Sequence, residues 1–204
     1  MNTETQLTAA LARSLDDTPD HLSMLHDRLA AAAQAEGVLD VAYRTIDTHV
    51  GSLLLAATDR GLVRVAYAIE DHDAVLQTLA DRISPRILSS AKRLDDVARE
   101  LDEYFEGRRR TFDVTLDWRL SKGFRSAVLH ALPGIGYGHT ASYADVARLA
   151  GSPNAVRAVG SACATNPLPI VVPCHRVVRS DGALGGYLGG AEAKRTLLGL
   201  EAVA

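Results

Sequence analysis

The chain has 204 residues, 47% hydrophobic and 23% charged, with a formal net charge of −3, enough for one large domain or two small ones with their own cores. No apolar run approaches the ~20 residues of a transmembrane helix, and the N-terminus carries Glu4, Asp16, Asp17 and Asp20 instead of a basic start and apolar centre, so a cytoplasmic protein without membrane contact is expected. Two cysteines, Cys163 and Cys174, are too few for a Cys-rich zinc site, and a reducing compartment disfavours a disulfide between them.

Residues 1–37 read as an Ala-rich helical extension. Pro19 suits a first helical turn, Leu22, Leu25, Leu29 and Ala32 or Ala33 recur at helical spacing, and Gly37 ends the run. A β-meander follows, with strands over Val38–Ile46, Ser52–Thr58 and Leu62–Ala68 joined at His49–Gly51 and Asp59–Gly61. Helices are expected around Asp73–Ile83 and Ala91–Glu106, then a last strand over Thr111–Leu116. The Arg108–Arg109–Arg110 run could touch phosphate, but it reads better as a solvated turn. Residues 38–117 thus form a small N-terminal α/β domain with an antiparallel sheet.

Residues 118–204 read as a mostly helical C-terminal domain, which makes the whole an α+β protein. Lys122–Leu132 is a helix stopped by Pro133, and Gly134, Gly136 and Gly138 make a loop. Ser142 and Asp145 form a capping box opening a helix over Tyr143–Ala150. Gly151 ends it, and Ser152 caps a second helix with Pro153 at its first position, running to about Ala164. That is a helix-turn-helix candidate. Val156, Val159 and Cys163 form the core side of the second helix. Its outer face carries Asn154, Arg157, Ala158 and Ser161, small and polar with one long cation, which suits close approach to a sugar-phosphate backbone.

Charge divides the same way. Residues 1–117 hold 13 Lys/Arg against 21 Asp/Glu, and residues 118–204 hold 9 against 4. The basic half is the one expected to meet a polyanion. The remaining histidines, His21, His26, His49, His72, His130 and His139, are scattered and read as surface or core residues rather than metal ligands.

The chemical centre is Asn166-Pro167-Leu168-Pro169-Ile170-Val171-Val172-Pro173-Cys174-His175-Arg176-Val177-Val178. Apolar residues carry the chain inward, and Pro173 fixes the backbone before a cysteine flanked by an imidazole and a guanidinium, groups that lower a thiol's pKa. Together with Ser142-Tyr143, Ala150–Gly160 and Asp181-Gly182 … Gly185-Gly186-Tyr187 … Gly189-Gly190 … Lys194 … Glu201, this segment resembles the O6-alkylguanine-DNA alkyltransferases, also called methylated-DNA–protein-cysteine methyltransferases. The resemblance is specific over about residues 120–201, looser over 38–117 and absent over 1–37.

The resemblance implies a direct-reversal repair protein that moves an alkyl group from O6 of guanine, and from O4 of thymine, in double-stranded DNA onto its own Cys174, irreversibly and once per molecule. Cys174 matches the acceptor, His175 the group that takes its proton through a water, and Glu201 the carboxylate that orients the histidine. Tyr143 matches a donor to the guanine ring and Asn166 the hinge before the cysteine loop. Arg157 matches the finger that replaces the flipped nucleotide. Ser152, Asn154, Ala155, Ala158 and Ser161 fall on the matching DNA face, which this family lays in the minor groove. Val177, Gly186, Tyr187, Leu188, Gly189 and Lys194, with Gly185 and Gly190, match the pocket. Leu188 departs from relatives that carry Ser, a change that bears on which bulky groups fit. No cofactor and no metal are implied, and a monomer is expected, with cooperativity on DNA left open.

Four rival readings fare worse. A non-catalytic lesion binder of this family lacks the reactive cysteine that is present here. A Cys-His hydrolase needs a distant histidine, whereas His175 adjoins Cys174. A helix-turn-helix transcription factor leaves the Pro-Cys-His-Arg loop unexplained, and a zinc-bound methyl sensor lacks the cysteines.

Overall fold

The structure is a computed structural model that describes residues 19–202. The part of the expected N-terminal extension before Pro19 lies outside the described residues. Helix α1, Pro19–Ala35, starts at the proline and closes before Gly37, whose φ is +68°. It touches the sheet through His26 Nε2, 3.0 Å from the carbonyl of Ser89.

Strands β1 (Val41–Thr48), β2 (Gly51–Thr58) and β3 (Gly61–Tyr67) form the expected antiparallel meander, with register pairs such as Thr45–Leu54 and Leu54–Ala66. A fourth strand, β4 (Ile87–Ser89), was not expected. It pairs parallel to β1 and gives the order β3-β2-β1-β4. Three residues are too few to show a period-two pattern, and only β1 makes them a strand. Helix α2, His72–Arg82, separates β3 from β4, and α3, Asp95–Phe105, follows a single 3-10 turn.

The expected strand over Thr111–Leu116 does not form. Leu62 N–H donates to the Thr115 carbonyl at 2.9 Å, Asp117 N–H donates to the Leu62 carbonyl at 2.8 Å, and the pairing ends there. The outer edge of β3 is shared: farther along, Val65 N–H donates to the carbonyl of Pro167 at 2.8 Å. Two segments use one edge, so neither builds a ladder.

Strand β2 is buried on both faces from Leu53 to Thr58. Leu54 and Ala56 pack with Val75 and Leu79 of α2. Leu53 and Leu55 face the other way, onto Leu101, Tyr104 and Phe105 of α3. That second core does not stop at the sheet. It runs on through Val128 and Leu129, Val146, Val159, Leu168, Val172 and Leu197, so one apolar cluster joins the sheet to the helical half.

In that half, α4 covers Gly123–Ala131, and a 3-10 turn, Leu132–Gly134, contains Pro133. Short strand β5, Ala141–Ser142, opens α5, Tyr143–Leu149, through the expected capping box: Asp145 N–H donates to Ser142 Oγ at 3.2 Å and Ser142 N–H to Asp145 Oδ2 at 2.9 Å. Gly151, at φ +74°, ends α5 in the left-handed conformation, with Ser152 N–H reaching back to the Ala147 carbonyl at 2.9 Å.

Two expectations about the next helix are corrected. Ser152 does not cap it. Residues 152–155 are a turn closed by Ala155 N–H on the Ser152 carbonyl at 2.9 Å, and α6 begins only at Val156 and ends at Ala164. Val156, expected on the core side, stands at the first position of α6 and is 38% exposed, and the core side is Val159, Ala162 and Cys163. Residues 174–176 form a 3-10 turn, strand β6 (Val177–Val178) pairs parallel with β5, and α7 spans Gly190–Ala202. No helix among the described residues is long and apolar enough to cross a membrane.

The turn at Gly61 supplies a test. Its φ is +128°, and a Cβ there would sit 2.3 Å from the Thr115 carbonyl oxygen. Gly51 also has positive φ, +93°, but nothing lies within 4 Å of its Cβ position. Gly61→Ala is therefore expected to cost about 2–4 kcal/mol in urea unfolding and Gly51→Ala only about 1 kcal/mol. Equal losses would show that the close approach to Thr115 carries no energy.

Candidate active site

The segment before Cys174 is a buried knot of backbone. Ile170 has φ +74°, a left-handed conformation that β-branched residues adopt at a cost of roughly 1–3 kcal/mol. Burial of Leu168, Ile170 and Val172 around it, each at most 1% exposed, offsets that strain. Asn166, fully buried, closes the knot. Its Oδ1 accepts from Leu168 N–H at 3.0 Å, and its Nδ2 donates to the Val172 carbonyl at 2.9 Å and to Cys174 Sγ at 3.1 Å. Every polar atom of that amide is committed, and the sulfur is held by it.

Cys174 and His175 are both buried. His175 Nε2 lies 2.8 Å from Glu201 Oε1, and Glu201 also accepts from Tyr104 Oη at 2.7 Å, from Arg176 Nε and Nη2 at 2.9 Å each, and from Gly138 N–H at 3.2 Å. Arg176 Nη1 donates to the Ile135 carbonyl at 2.6 Å. Burial alone would raise the Glu201 pKa, but the His175 and Arg176 hydrogen bonds overcome it and hold the carboxyl at about 2. Burial lowers His175, with Glu201 opposing. Beside an ionised carboxylate, Nε2 carries the proton of the neutral ring, which leaves Nδ1 as an acceptor. Nδ1 is buried and has no hydrogen-bond partner among the described residues. Burial likewise pushes the Cys174 thiol up to about 11, against the pull of Asn166 and Lys194. The resting pair is therefore thiol and neutral imidazole, with a free basic nitrogen next to the cysteine in sequence.

The remaining walls come from both halves. Pairing of β5 with β6 sets Tyr143, at the start of α5, near Val177. A Cβ on Gly185, whose φ is +66°, would lie 2.8 Å from the Tyr143 hydroxyl. Lys194 of α7 is buried and donates to the carbonyls of Val177 (2.6 Å) and Leu184, which ties β6 to the glycine segment. Tyr187 meets the His175 ring edge to face at 6.4 Å. Gly186 and Leu188 are half-buried or exposed along this segment, and Leu188 borders a cavity of about 420 Å³ together with Asn166, Pro167 and Arg64.

Cys174, His175, Glu201, Asn166, Tyr143, Val177, Tyr187, Gly189 and Lys194 are thus gathered around one site. Arg157, Asn154, Ala158 and Ser161 lie on α6 and its preceding turn, at the surface, with Ser152 and Ala155 half-buried beside them. Sequence reasoning missed Tyr104 and Tyr67, which enter from the sheet half with no motif to mark them. It read Arg176 only as a neighbour of the thiol, whereas its guanidinium is committed to Glu201.

Comparison with known proteins follows the same division. Residues 41–118 match the family described as 6-O-methylguanine DNA methyltransferase, ribonuclease-like domain, and residues 123–203 match its DNA binding domain. A methylated-DNA–protein-cysteine methyltransferase of Mycolicibacterium paratuberculosis is 40% identical over 161 residues, 79% of this chain and 92% of its own length. This chain belongs to that family. The constitutive family member of Bacillus subtilis is 39% identical over 79% of this chain and 95% of its own. The Mycobacterium tuberculosis O6-methylguanine methyltransferase superposes with a TM-score of 0.70 at 37% identity, over 80% of this chain and 93% of its own. Its complex with DNA gives 0.70 at 38% identity over 79% and 93%.

For this methyltransferase-family chain, the charge pattern has a direct pH consequence. Glu201 titrates at about 2 when folded against 4.5 when free, so the stability it lends is complete above 4.5 and lost as pH falls toward 2. His175 is pushed below 6.5 by burial, so under 6.5 the unfolded chain takes a proton first and stability also falls. Melting temperature is expected to drop as pH falls from 7 toward 3. Glu201→Gln is expected to flatten the part below 4.5 while costing about 3–5 kcal/mol at neutral pH, because Arg176 is left buried without its counter-charge. Thermal melts from acid to neutral pH check this, and parallel curves for the two proteins would refute it.

Proposed function

We propose that this protein repairs alkylated double-stranded DNA by moving the alkyl group from O6 of a flipped guanine to Cys174 Sγ, once per molecule, and acts likewise at O4 of thymine. The carrying observation is the set Asn166–Cys174 and His175–Glu201: an amide on the sulfur, and a neutral, oriented imidazole with Nδ1 free, in a chain of this family. The thiol proton passes to His175 Nδ1 through a water, and Glu201 stabilises the imidazolium that forms, the nucleophile–base–orienter logic of a hydrolase triad applied to an sp³ carbon. The Sγ–carbon bond forms as the carbon–O6 bond breaks, and the pair of electrons from that bond goes to O6. Tyr143, whose phenol is raised by burial and so is protonated at rest, gives its proton to the guanine ring as O6 takes the electron pair, so that the base leaves neutral. The proton held by the imidazolium then restores the phenol through water. The backbone around Cys174, Val177 and Leu188 receives the guanine, and Gly186 leaves room for it.

On the outside, the small residues Ala155, Ala158 and Ser161, with Ser152 and Asn154, let α6 approach the minor-groove backbone, and Arg157 fills the gap left by the flipped nucleotide. Extrusion of a base costs a few kcal/mol, part of which an inserted side chain offsets. Arg157→Ala is expected to slow repair of duplex DNA at least about tenfold while leaving reaction with free O6-methylguanine base within about twofold. Equal losses on both substrates would remove Arg157 from this role.

The product is a thioether, which has no carbonyl for water to attack and only a poor leaving group, so no turnover follows. Cys174 is 2% exposed among Val172, Val177 and Ile170, and an added methyl overfills that space, at a cost of typically ~1–3 kcal/mol. Excess methylated oligonucleotide is expected to give a plateau at one equivalent, with the added mass on a peptide containing Cys174 and a lower melting temperature for the product. Cys174→Ser should bind the same duplex and gain no mass. Turnover beyond one equivalent, or mass on Cys163, would overturn the reading.

A further inference from the structure

Tyr67 closes β3 in the N-terminal sheet, yet its side chain ends in the wall of the cysteine site. It is 2% exposed. A Cβ built on Gly189 would lie 2.6–2.7 Å from three carbons of the Tyr67 ring, so the ring rests directly on the Gly189 backbone. Its hydroxyl shares a 2.8 Å hydrogen bond with that of Tyr187, and the two rings meet edge to face at 5.8 Å. Burial pushes the Tyr67 phenol above its ordinary range, so that hydrogen bond persists at any working pH. Tyr67 is itself anchored from behind: its N–H donates to Glu70 Oε1 at 2.9 Å, and Glu70 pairs with Arg64.

The segment it touches contains Gly185, Gly186, Gly189 and Gly190, residues with the least intrinsic rigidity. Such a wall must be held from outside. Tyr143 meets it at Gly185 and Tyr67 meets it at Gly189, one tyrosine at each end. We propose that Tyr67 is a positioning residue: its ring holds the Tyr187–Gly189 segment at the depth where that segment's backbone receives the guanine. This rests on the guanine-transfer reading above. A wall displaced by about 1 Å costs up to about 100-fold in rate even where the chemistry is untouched.

The test compares wild type with Tyr67→Ala, Tyr67→Phe, Gly189→Ala and the double variant Y67A/G189A. The substrate is free O6-methylguanine base, which removes DNA docking from the measurement. The plateau of mass gain on methylated oligonucleotide gives the active fraction of each protein. Y67A is expected to lower the second-order rate per active molecule about tenfold, with affinity for unmodified duplex unchanged, while Y67F stays within about threefold. G189A, whose new Cβ meets the ring, should lose as much as Y67A, but adding it to Y67A should cost little more, because the atoms it strikes are gone. If Y67A does not fold, Tyr67→Leu carries the same comparison.

Three results would overturn the role: a Y67A deficit confined to the active fraction, a Y67F as slow as Y67A, or additive losses in the cycle. A wild type that gains no mass on Cys174 would instead refute the transfer reading itself.

Discussion

A carboxylate with 2% exposure is costly to bury, and Glu201 is tolerated because donors from several parts of the chain converge on it. Tyr104 comes from α3 in the sheet half, Gly138 from the loop after α4, and His175 and Arg176 from the cysteine turn, while α7 supplies the carboxylate itself. The fork of Arg176 takes both oxygens, so the pair is neutral before His175 is considered. That sharing matters for chemistry. A lone carboxylate would draw a proton onto the imidazole; here burial pushes His175 down, and the guanidinium charge beside Glu201 works in the same direction against the carboxylate's upward pull. The proposed base must be unprotonated to act, and burial chiefly keeps it so, with the Arg176 charge adding to that push.

The same burial makes the thiol quiet at rest. A cysteine at about 11 and 2% exposed is almost wholly protonated near neutrality and shielded from oxidants. For a group that reacts once, low background reactivity is an advantage. In the proposed transfer, activation comes with the substrate: the free nitrogen of His175 takes the proton, and the charge forming on sulfur passes, as the carbon–O6 bond breaks, to O6 of the leaving base. Cys163, pushed up to about 12 by burial, has neither an amide on its sulfur nor a histidine beside it, and its position in the α6 core accounts for it as packing.

What could be read from the sequence was what is local. The capping box at Ser142–Asp145 and the left-handed Gly151 each need only residues a few positions apart, and both ends of α5 fall where those residues put them. The meander strands carry their own pattern. The errors came where the deciding partner is distant. The segment 111–116 has strand-like residues but no free edge to extend along, and β4 exists only because β1 accepts it; Ser152 is the local exception, closing a turn with Ala155 rather than capping a helix. Around the cysteine, the residues on the motif gather as their spacing suggests. Tyr104 lies 97 positions from the carboxylate it donates to, and Tyr67 lies 120 from its partner Tyr187. No spacing rule reaches so far.

The sheet half acts on the site through the edge of β3. An unpaired strand edge is a row of open donors and acceptors that invites association, and a loop such as 165–173, with a left-handed isoleucine at its centre, has backbone groups of its own to satisfy. Setting one against the other resolves both. Val65 N–H takes the Pro167 carbonyl, and Arg64 reaches from the same strand toward the Asn166 carbonyl at 3.4 Å. Asn166 is the residue whose amide holds Cys174 Sγ. The position of the sulfur is therefore set by a sheet that contributes nothing to the reacting atoms, and a shift of β3 against the helical half would be felt at Cys174 through one intervening side chain.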